Sequence, residues 1–328
     1  MIRKSSFSFI VLSLMVCVTS VQAQAPSASN YPNKPVKVVI GFAPGGAADY
    51  VARTISDSLG KALGQPVIIE NKAGAGSSIA AEVVSKSAPD GYTVLIASPS
   101  SISVNPALNP KLGYTPKDLF PVTKITSSPL VIAANPNAGI GNLLDLVAKA
   151  KKAPGSINYA TSGNGSAPHL GAALFAQVTG IEMTHIPFRG GGPAIQSVVA
   201  GDTQLTFGTP PSVLPMIQAG RLKGLGVSTK EKSALVPGIP GSIEAGVPDY
   251  AIEFWYGIFV PNATPPVIVK KIFDAAQFAM SQPNVKAALA REGTEVDVSK
   301  SPDQFASFLV EDAKFWVKLV KSAGVKLD

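Results

Sequence analysis

The chain has 328 residues, a formal net charge of +7, one cysteine and two histidines. A single cysteine cannot form an internal disulfide, so stability must come from burial of apolar side chains. The densest basic cluster consists of Lys149, Lys151 and Lys152 at a predicted helix end, where cations interact favourably with the helix dipole. The basic residues form no stripe with interleaved aromatics, so composition argues against a nucleic-acid partner.

The first predicted element is an export signal, residues 1–23. It has a charged start, an apolar middle and small residues before a cleavage site near Ala23. Cleavage of an exported chain there removes Cys17 and leaves about 305 residues, enough for two domains. Lipid attachment at Cys17 is the weaker alternative because a bulky valine precedes it. We expect the polar segment 24–30 to be a disordered leader.

From residue 31 the chain alternates between apolar strand patterns and amphipathic helix patterns. Alternation of this kind predicts a mainly parallel sheet covered by helices. The first helix repeats apolar residues at a helical period, which predicts one stripe that faces the sheet. Strands are expected at 36–42, 67–70 and 93–97.

A glycine-rich turn, Pro44 to Asp49, joins the first strand to the first helix. Backbone N–H groups at a helix start lie beside the positive end of the helix dipole and suit a carboxylate or phosphate. Asp49 has two interpretations: it can cap these N–H groups, or it can reach the ligand and favour a donor group there. The turn therefore predicts an anion site.

A second series of strand and helix patterns begins near residue 130. A second glycine-rich turn, Thr161 to Ser166, again lies between a strand and a helix. Two such turns, one from each series, predict a single anion held between two domains. Strands are expected at 130–134, 157–160, 183–187, 205–208 and 222–227.

The chain is expected to cross between the two series near 128–131 and again near 250–260. This predicts a discontinuous first domain, residues 31–128 plus 252–328, and a second domain, residues 129–251. Domains joined by two short segments can hinge, so ligand binding couples to closure. The terminal helices carry apolar stripes that are typical of core packing, so no cofactor is predicted.

Candidates for catalysis are few. The sequence has no Gly-x-Ser-x-Gly elbow, no paired metal-ligand histidines and no glycine motif for nucleotides. Ser166 and His169 are three residues apart, but no nearby acidic residue orients the histidine, so helix capping by Ser166 is the simpler role. Arg189 can offer two hydrogen bonds to an anion or lie at the surface. Neither an enzyme nor a metal site is predicted.

A longer series of motifs runs through the mature chain. In order, the stretches are Tyr31–Pro35 (YPNKP), Phe42–Asp49 (FAPGGAAD) with Ala52 and Arg53, Val67–Gly76 (VIIENKAGAG), Ala88–Thr93 (APDGYT), Tyr159–Ser166 (YATSGNGS) with His169 and Leu170, His185–Gly190 (HIPFRG), Trp255–Gly257 (WYG) and Gly324–Asp328 (GVKLD). This ordered series resembles the periplasmic solute receptors of tripartite tricarboxylate transporters, often called Bug proteins.

The resemblance implies an α/β, two-domain Venus-flytrap periplasmic binding protein of the type II-like class. Such a receptor captures a small organic carboxylate through backbone groups and ordered water and delivers it to integral-membrane permease subunits. We expect a monomer without a nucleic-acid partner. The residues expected to contact the ligand are Phe42, Pro44, Gly45, Gly46, Ala47, Ala48, Asp49, Ser100, Ser162, Gly163, Asn164, Gly165, Ser166, His169, Arg189 and Thr209.

Two segments depart from the family pattern, 98–102 (SPSSI) and 208–212 (GTPPS). Both are less polar than the corresponding runs in many relatives, which disfavours a citrate-like ligand and leaves an aromatic or short aliphatic acid open. Two other functions also stay open. The chain can be a sensory receptor for a histidine kinase, or a periplasmic enzyme that uses His169 or Asp49 as acid or base.

Overall fold

The computed structural model describes residues 30–109 and 111–322. The predicted export signal, nearly all of the predicted leader and the Gly324–Asp328 motif lie outside these residues. The strands are β1 Val36–Ile40, β2 Val67–Asn71, β3 Thr93–Ala97, β4 Leu119–Pro129, β5 Val131–Ala134, β6 Asn158–Thr161, β7 Thr184–Pro187, β8 Leu205–Gly208, β9 Lys223–Val227, β10 Glu253–Pro261 and β11 Glu295–Val296. The helices are α1 Ala47–Leu63, α2 Ser78–Ser85, α3 Asn105–Leu108, α4 Leu143–Lys152, α5 Ala167–Thr179, α6 Gly191–Ala200, α7 Pro210–Gln218, α8 Pro266–Ser281, α9 Pro283–Arg291 and α10 Pro302–Ser322.

These elements build two sheets, each flanked by helices. The first sheet has the strand order β11-β4-β10-β3-β1-β2, and the second has the order β7-β6-β8-β5-β9. Strands of both predicted series pair in parallel: β1 with β2 and β3 in the first sheet, and β6 with β7 and β8 in the second. The two-domain α/β fold is confirmed.

Both sheets are mixed rather than purely parallel. Strand β4 leads out of the first sheet and β10 leads back into it, so the two pair antiparallel. Strand β10 is also antiparallel to β3, and β5 is antiparallel to β8 and β9. Strands β4 and β10 are joined by passage of the chain through the other domain. The long strand β4 had no counterpart among the predicted elements.

The chain passes between the sheets at two short segments. Leu130 alone separates β4 from β5, and residues 250–252 precede β10. Because β10 lies wholly within the first sheet, the second crossing is shorter than the predicted segment 250–260. The domain boundaries at 128/129 and 251/252 stay predictions.

Helix α1 shows how the sequence sets an element that carries part of the site. It begins at Ala47, after Gly46, and ends at Leu63, and the next residue, Gly64, has a φ of 74° that favours glycine. The predicted stripe of Val51, Ile55 and Leu59 is buried against the first sheet. The apolar stripes of α8 and α10 are likewise packed in the core. In the described part of the chain, no helix combines the length and apolarity needed to cross a bilayer.

Candidate functional site

Four helices begin around one cavity that lies between the two sheets. Helix α1 comes from the first domain, and α5, α6 and α7 come from the second, each directly after a strand. The N–H groups at the starts of α1, α5 and α6, together with the dipoles of all four helices, give the cavity a positive potential. The residues of this inner cavity are Phe42, Gly46, Ala47, Ala48, Ser162, Ala167, Pro168, Gly191, Ala194, Ile195, Thr206, Gly208, Thr209, Ser212, Phe254 and Tyr256.

The inner cavity is neutral in its side chains. None of the described residues that line it is Asp, Glu, Lys, Arg or His. Burial raises the pKa of Tyr256, which keeps its hydroxyl protonated. The first N–H groups of α1 and α6 have no side-chain cap, because the residues before these helices, Gly46 and Gly190, carry no side chain. Helix α7 begins with Pro210 and Pro211, which have no N–H, so it contributes through its dipole alone. The arrangement therefore suits an anion that is recognised by backbone N–H groups.

The first glycine-rich turn is held in place by Asp49. Its carboxylate is buried and accepts hydrogen bonds from Gly45 N–H at 3.1 Å, Arg53 Nε at 2.9 Å and Asn71 Nδ2 at 3.0 Å. Burial acts to raise the pKa of Asp49, but the bonds from Arg53, Gly45 and Asn71 outweigh it and hold this pKa below its usual value. Asn71 also donates to the carbonyl of Phe42, at 3.0 Å. Asp49 thus holds the turn in place without itself lining the inner cavity.

The second glycine-rich turn rests on a stack of rings. His169 and His185 lie 3.9 Å apart between ring centroids, and Tyr159 stacks on the other side of His185 at 5.1 Å. Gly165 N–H donates to His169 Nδ1 at 3.1 Å, and Thr161 Oγ1 lies 2.6 Å from His185 Nε2. Burial, and then the neighbouring His169, lower the pKa of His185 to about 3. The stack fixes the shape of the turn.

A second, outer cavity opens beside the inner one. Phe42 and Ser162 line both cavities, and Arg189 is the one charged residue among those described around the outer one. The two domains touch here, because Ala43 N–H donates to the carbonyl of Arg189 at 3.2 Å. The residues of this outer cavity are Gly41, Phe42, Ala73, Gly74, Ala75, Gly76, Ser77, Ile79, Ser162, Gly163, Asn164, Phe188 and Arg189.

The structure divides the predicted ligand contacts into three groups. The inner cavity is lined by Phe42, Gly46, Ala47, Ala48, Ser162 and Thr209. The outer cavity adds Gly163, Asn164 and Arg189. The residues that line neither cavity are Pro44, Gly45, Asp49, Ser100, Gly165, Ser166 and His169. Ser100 lies buried in a π-helical turn, residues 100–104, after β3. Which residues contact a ligand stays a prediction.

Ten residues of the inner cavity were not predicted from the sequence. Two segments could have been recognised from the sequence, because Gly190–Gly192 and Pro210–Ser212 each lie between a strand and a helix, as the two glycine-rich turns do. Phe254 and Tyr256 could not have been recognised, because they lie in a continuous apolar run that gives no sign of a binding site. The ten are Ala167, Pro168, Gly191, Ala194, Ile195, Thr206, Gly208, Ser212, Phe254 and Tyr256.

Two helix-flanked sheets joined by two short crossings, with a cavity where the domains meet, define a two-domain periplasmic binding protein. The family model described as "Tripartite tricarboxylate transporter family receptor" matches residues 51–325, and the chain belongs to this family. The resemblance stated from the motifs is confirmed.

Individual relatives match over nearly their full length. Protein BugT of Bordetella pertussis is 33% identical over 97% of this chain and 97% of its own. MatC from Rhodopseudomonas palustris, solved with bound malate, is 32% identical with a TM-score of 0.84 and covers 88% of this chain and 100% of its own. A further R. palustris protein, solved with adipate, is 30% identical with a TM-score of 0.86 and covers 90% of this chain and 99% of its own.

Proposed function

We propose that this chain is a periplasmic receptor that binds a small organic carboxylate between its two domains. The observation that carries the proposal is the convergence of four helix starts on a cavity without charged side chains. Backbone N–H groups can hold a carboxylate there, while the apolar wall excludes highly charged ligands. Two similar structures, one with bound malate and one with adipate, support a carboxylate as the ligand class.

The test is calorimetric titration of the purified protein with a panel that includes malate, adipate, citrate and the uncharged amide of each. We expect one saturable site for at least one small carboxylate and no binding of its amide. NMR of the ligand after long incubation should show it unchanged, as a receptor requires. Conversion to product would support the enzyme alternative, and absence of binding across the panel would contradict the proposal.

We further propose that the loaded receptor acts as a monomer and delivers its ligand to integral-membrane permease subunits. Support comes from the family, whose description is that of a transporter receptor. Deletion of the permease genes should abolish uptake of the bound carboxylate while the receptor still binds it in vitro. Normal uptake without the permease, together with loss of a kinase-dependent response when the receptor gene is deleted, would favour the sensory role.

We also propose export with cleavage near Ala23. N-terminal sequencing of the protein from a periplasmic fraction should begin at Gln24. A mature chain that still contains Cys17, with lipid attached to it, would contradict this cleavage site.

A further inference from the structure

The inner cavity is too small for a whole cargo molecule. Its volume is about 20 Å³, and a single water needs about 10 to 15 Å³ by the same measure. A carboxylate head group fits such a space, but the carbon chain of a dicarboxylate does not. In the conformation described, the rest of the ligand must therefore lie outside the inner cavity.

The outer cavity is the space next to it. Its volume is about 340 Å³, and it shares Phe42 and Ser162 with the inner cavity. Both domains build it, the first through the loop 73–77 and the second through residues 162–164 and 188–189. Because the two cavities share these two residues, they lie side by side in the cleft.

The charge of the outer cavity differs from that of the inner one. Arg189 is the sole charged residue among those described in its wall, and no carboxylate lines it. The Arg189 side chain is exposed and forms no ion pair with any residue in the described ranges. Its backbone is fixed at the domain contact by the bond from Ala43 N–H. A guanidinium without an ion-pair partner can bind a carboxylate with two parallel hydrogen bonds, and Arg189 is the described residue of this wall that carries one.

We infer that the outer cavity binds the second anionic group of a linear dicarboxylate, against Arg189, while the first carboxylate lies at the helix starts. This inference rests on the proposed function and adds the part of the ligand that the inner cavity does not hold. It makes Arg189 a specificity residue that separates dicarboxylates from monocarboxylates of the same length. A branched tricarboxylate is disfavoured because the inner cavity has no room for a second group.

The test compares matched pairs of ligands on matched variants. Affinities of adipate and hexanoate, and of succinate and butyrate, are measured for the wild type, Arg189→Gln and the control Arg221→Gln. Arg221 is an exposed arginine of the same domain that lines neither cavity. We expect Arg189→Gln to weaken the preferred dicarboxylate at least tenfold and its monocarboxylate less than twofold, and Arg221→Gln to change neither.

The outcomes separate this inference from the proposed function. If the wild type binds carboxylates but Arg189→Gln weakens both members of a pair equally, or neither, the inference is overturned and the receptor function stands. If the wild type prefers the monocarboxylate, the inference is also overturned. If the wild type binds no carboxylate at all, the proposed function fails and this inference with it.

Discussion

At Gly46 a side chain would face the opposite domain. An ideal Cβ there would lie 3.5 Å from Gly191 N, and its φ of −91° is open to any residue. We predict that Gly46→Val weakens carboxylate binding more than tenfold, about 1.4 kcal/mol, because the branched side chain covers the N–H groups of α1. Thermal stability should hardly change. Calorimetry and a melting curve measure the two quantities.

Gly46→Ala is the matched control, since its single methyl group would make only ordinary contacts at 3.5 Å and 3.6 Å. The Gly46→Ala variant should bind the carboxylate less than about threefold more weakly than the wild type. Equal affinity of the valine variant and the wild type would remove the first turn from the ligand site.

Asp49 accepts hydrogen bonds with both carboxylate oxygens. Oδ2 faces Gly45 N–H and Arg53, and Oδ1 faces Asn71. In Asp49→Asn the amide NH₂ must face a donor in either orientation, so we predict a loss of about 1.5 to 3 kcal/mol in the free energy of unfolding. Urea unfolding measures it. Asp57→Asn, an exposed position of the same helix, should be neutral.

The outcome at Asp49 also decides between the two interpretations of this residue. Its spacing from the glycines predicts both a cap and a ligand contact, and only the positions of Asn71 and Arg53 show that its oxygens are already occupied. An Asp49→Asn variant with wild-type stability and tenfold weaker binding would place Asp49 at the ligand after all.

At the scale of elements, the periodicity of apolar residues predicted those features that local sequence determines. The stripe of α1 and the strand-turn-helix units at Gly46 and Ser166 follow from local patterns. The direction of β10 does not, because it depends on how the chain returns from the other domain. The sequence also did not show which face of β10 lines the site. Phe254 and Tyr256 line the inner cavity, whereas Glu253 and Trp255 line a cavity on the opposite face of the strand. Because β10 is apolar almost throughout, no alternation of polar and apolar residues distinguishes its two faces.

The ring stack that joins α5 to β7 predicts a pH dependence of stability. His185 has a pKa of about 3 when folded and about 6.5 when unfolded, so the unfolded state binds more protons between these values. The contribution of His185 to stability is therefore complete above pH 6.5 and falls by about 1.4 kcal/mol for each pH unit below it. Urea unfolding of the wild type and His185→Gln from pH 4 to 7 measures this difference.

Asp312 on α10 provides the opposite slope in the same experiment. Burial raises its pKa to about 6, so its contribution falls as pH rises from about 4 to 6. Subtracting the His185→Gln curve from the wild-type curve cancels Asp312, and the difference should rise with pH. In the Asp312→Asn variant, which keeps His185, the free energy of unfolding should rise more steeply with pH than in the wild type. A difference curve without slope below pH 6.5 would contradict the assignment to His185.

For the whole molecule, one buried side chain links both crossings between the domains. Ser228 Oγ accepts from Leu130 N–H at 2.7 Å and donates to the Ile252 carbonyl at 2.5 Å. The Ser228 backbone N–H also donates to the Leu130 carbonyl, and the Ile252 N–H donates to the Ser228 carbonyl, each at 2.9 Å. Leu130 and Ile252 belong to the two segments about which we expect the domains to rotate, so we expect the hydroxyl to couple their movements.

We predict that Ser228→Ala lowers the free energy of unfolding by about 1 to 3 kcal/mol, because Leu130 N–H and the Ile252 carbonyl each lose a buried partner. It should also broaden the distribution of distances between the domains, because the two crossings then move independently. Spin labels at Lys61→Cys and Lys232→Cys, exposed positions of different domains, measure that distribution with and without ligand. The weaker coupling should appear as faster ligand release.

Ser242→Ala separates a hinge role from the general cost of removing a buried hydroxyl. Ser242 is fully buried, but its Oγ has no partner among the described residues. Its loss should leave stability, the distance distribution and the release rate unchanged. If Ser228→Ala is destabilised while its distance distribution matches that of the wild type, Ser228 is a structural residue only, and control of closure must lie in the cavity walls.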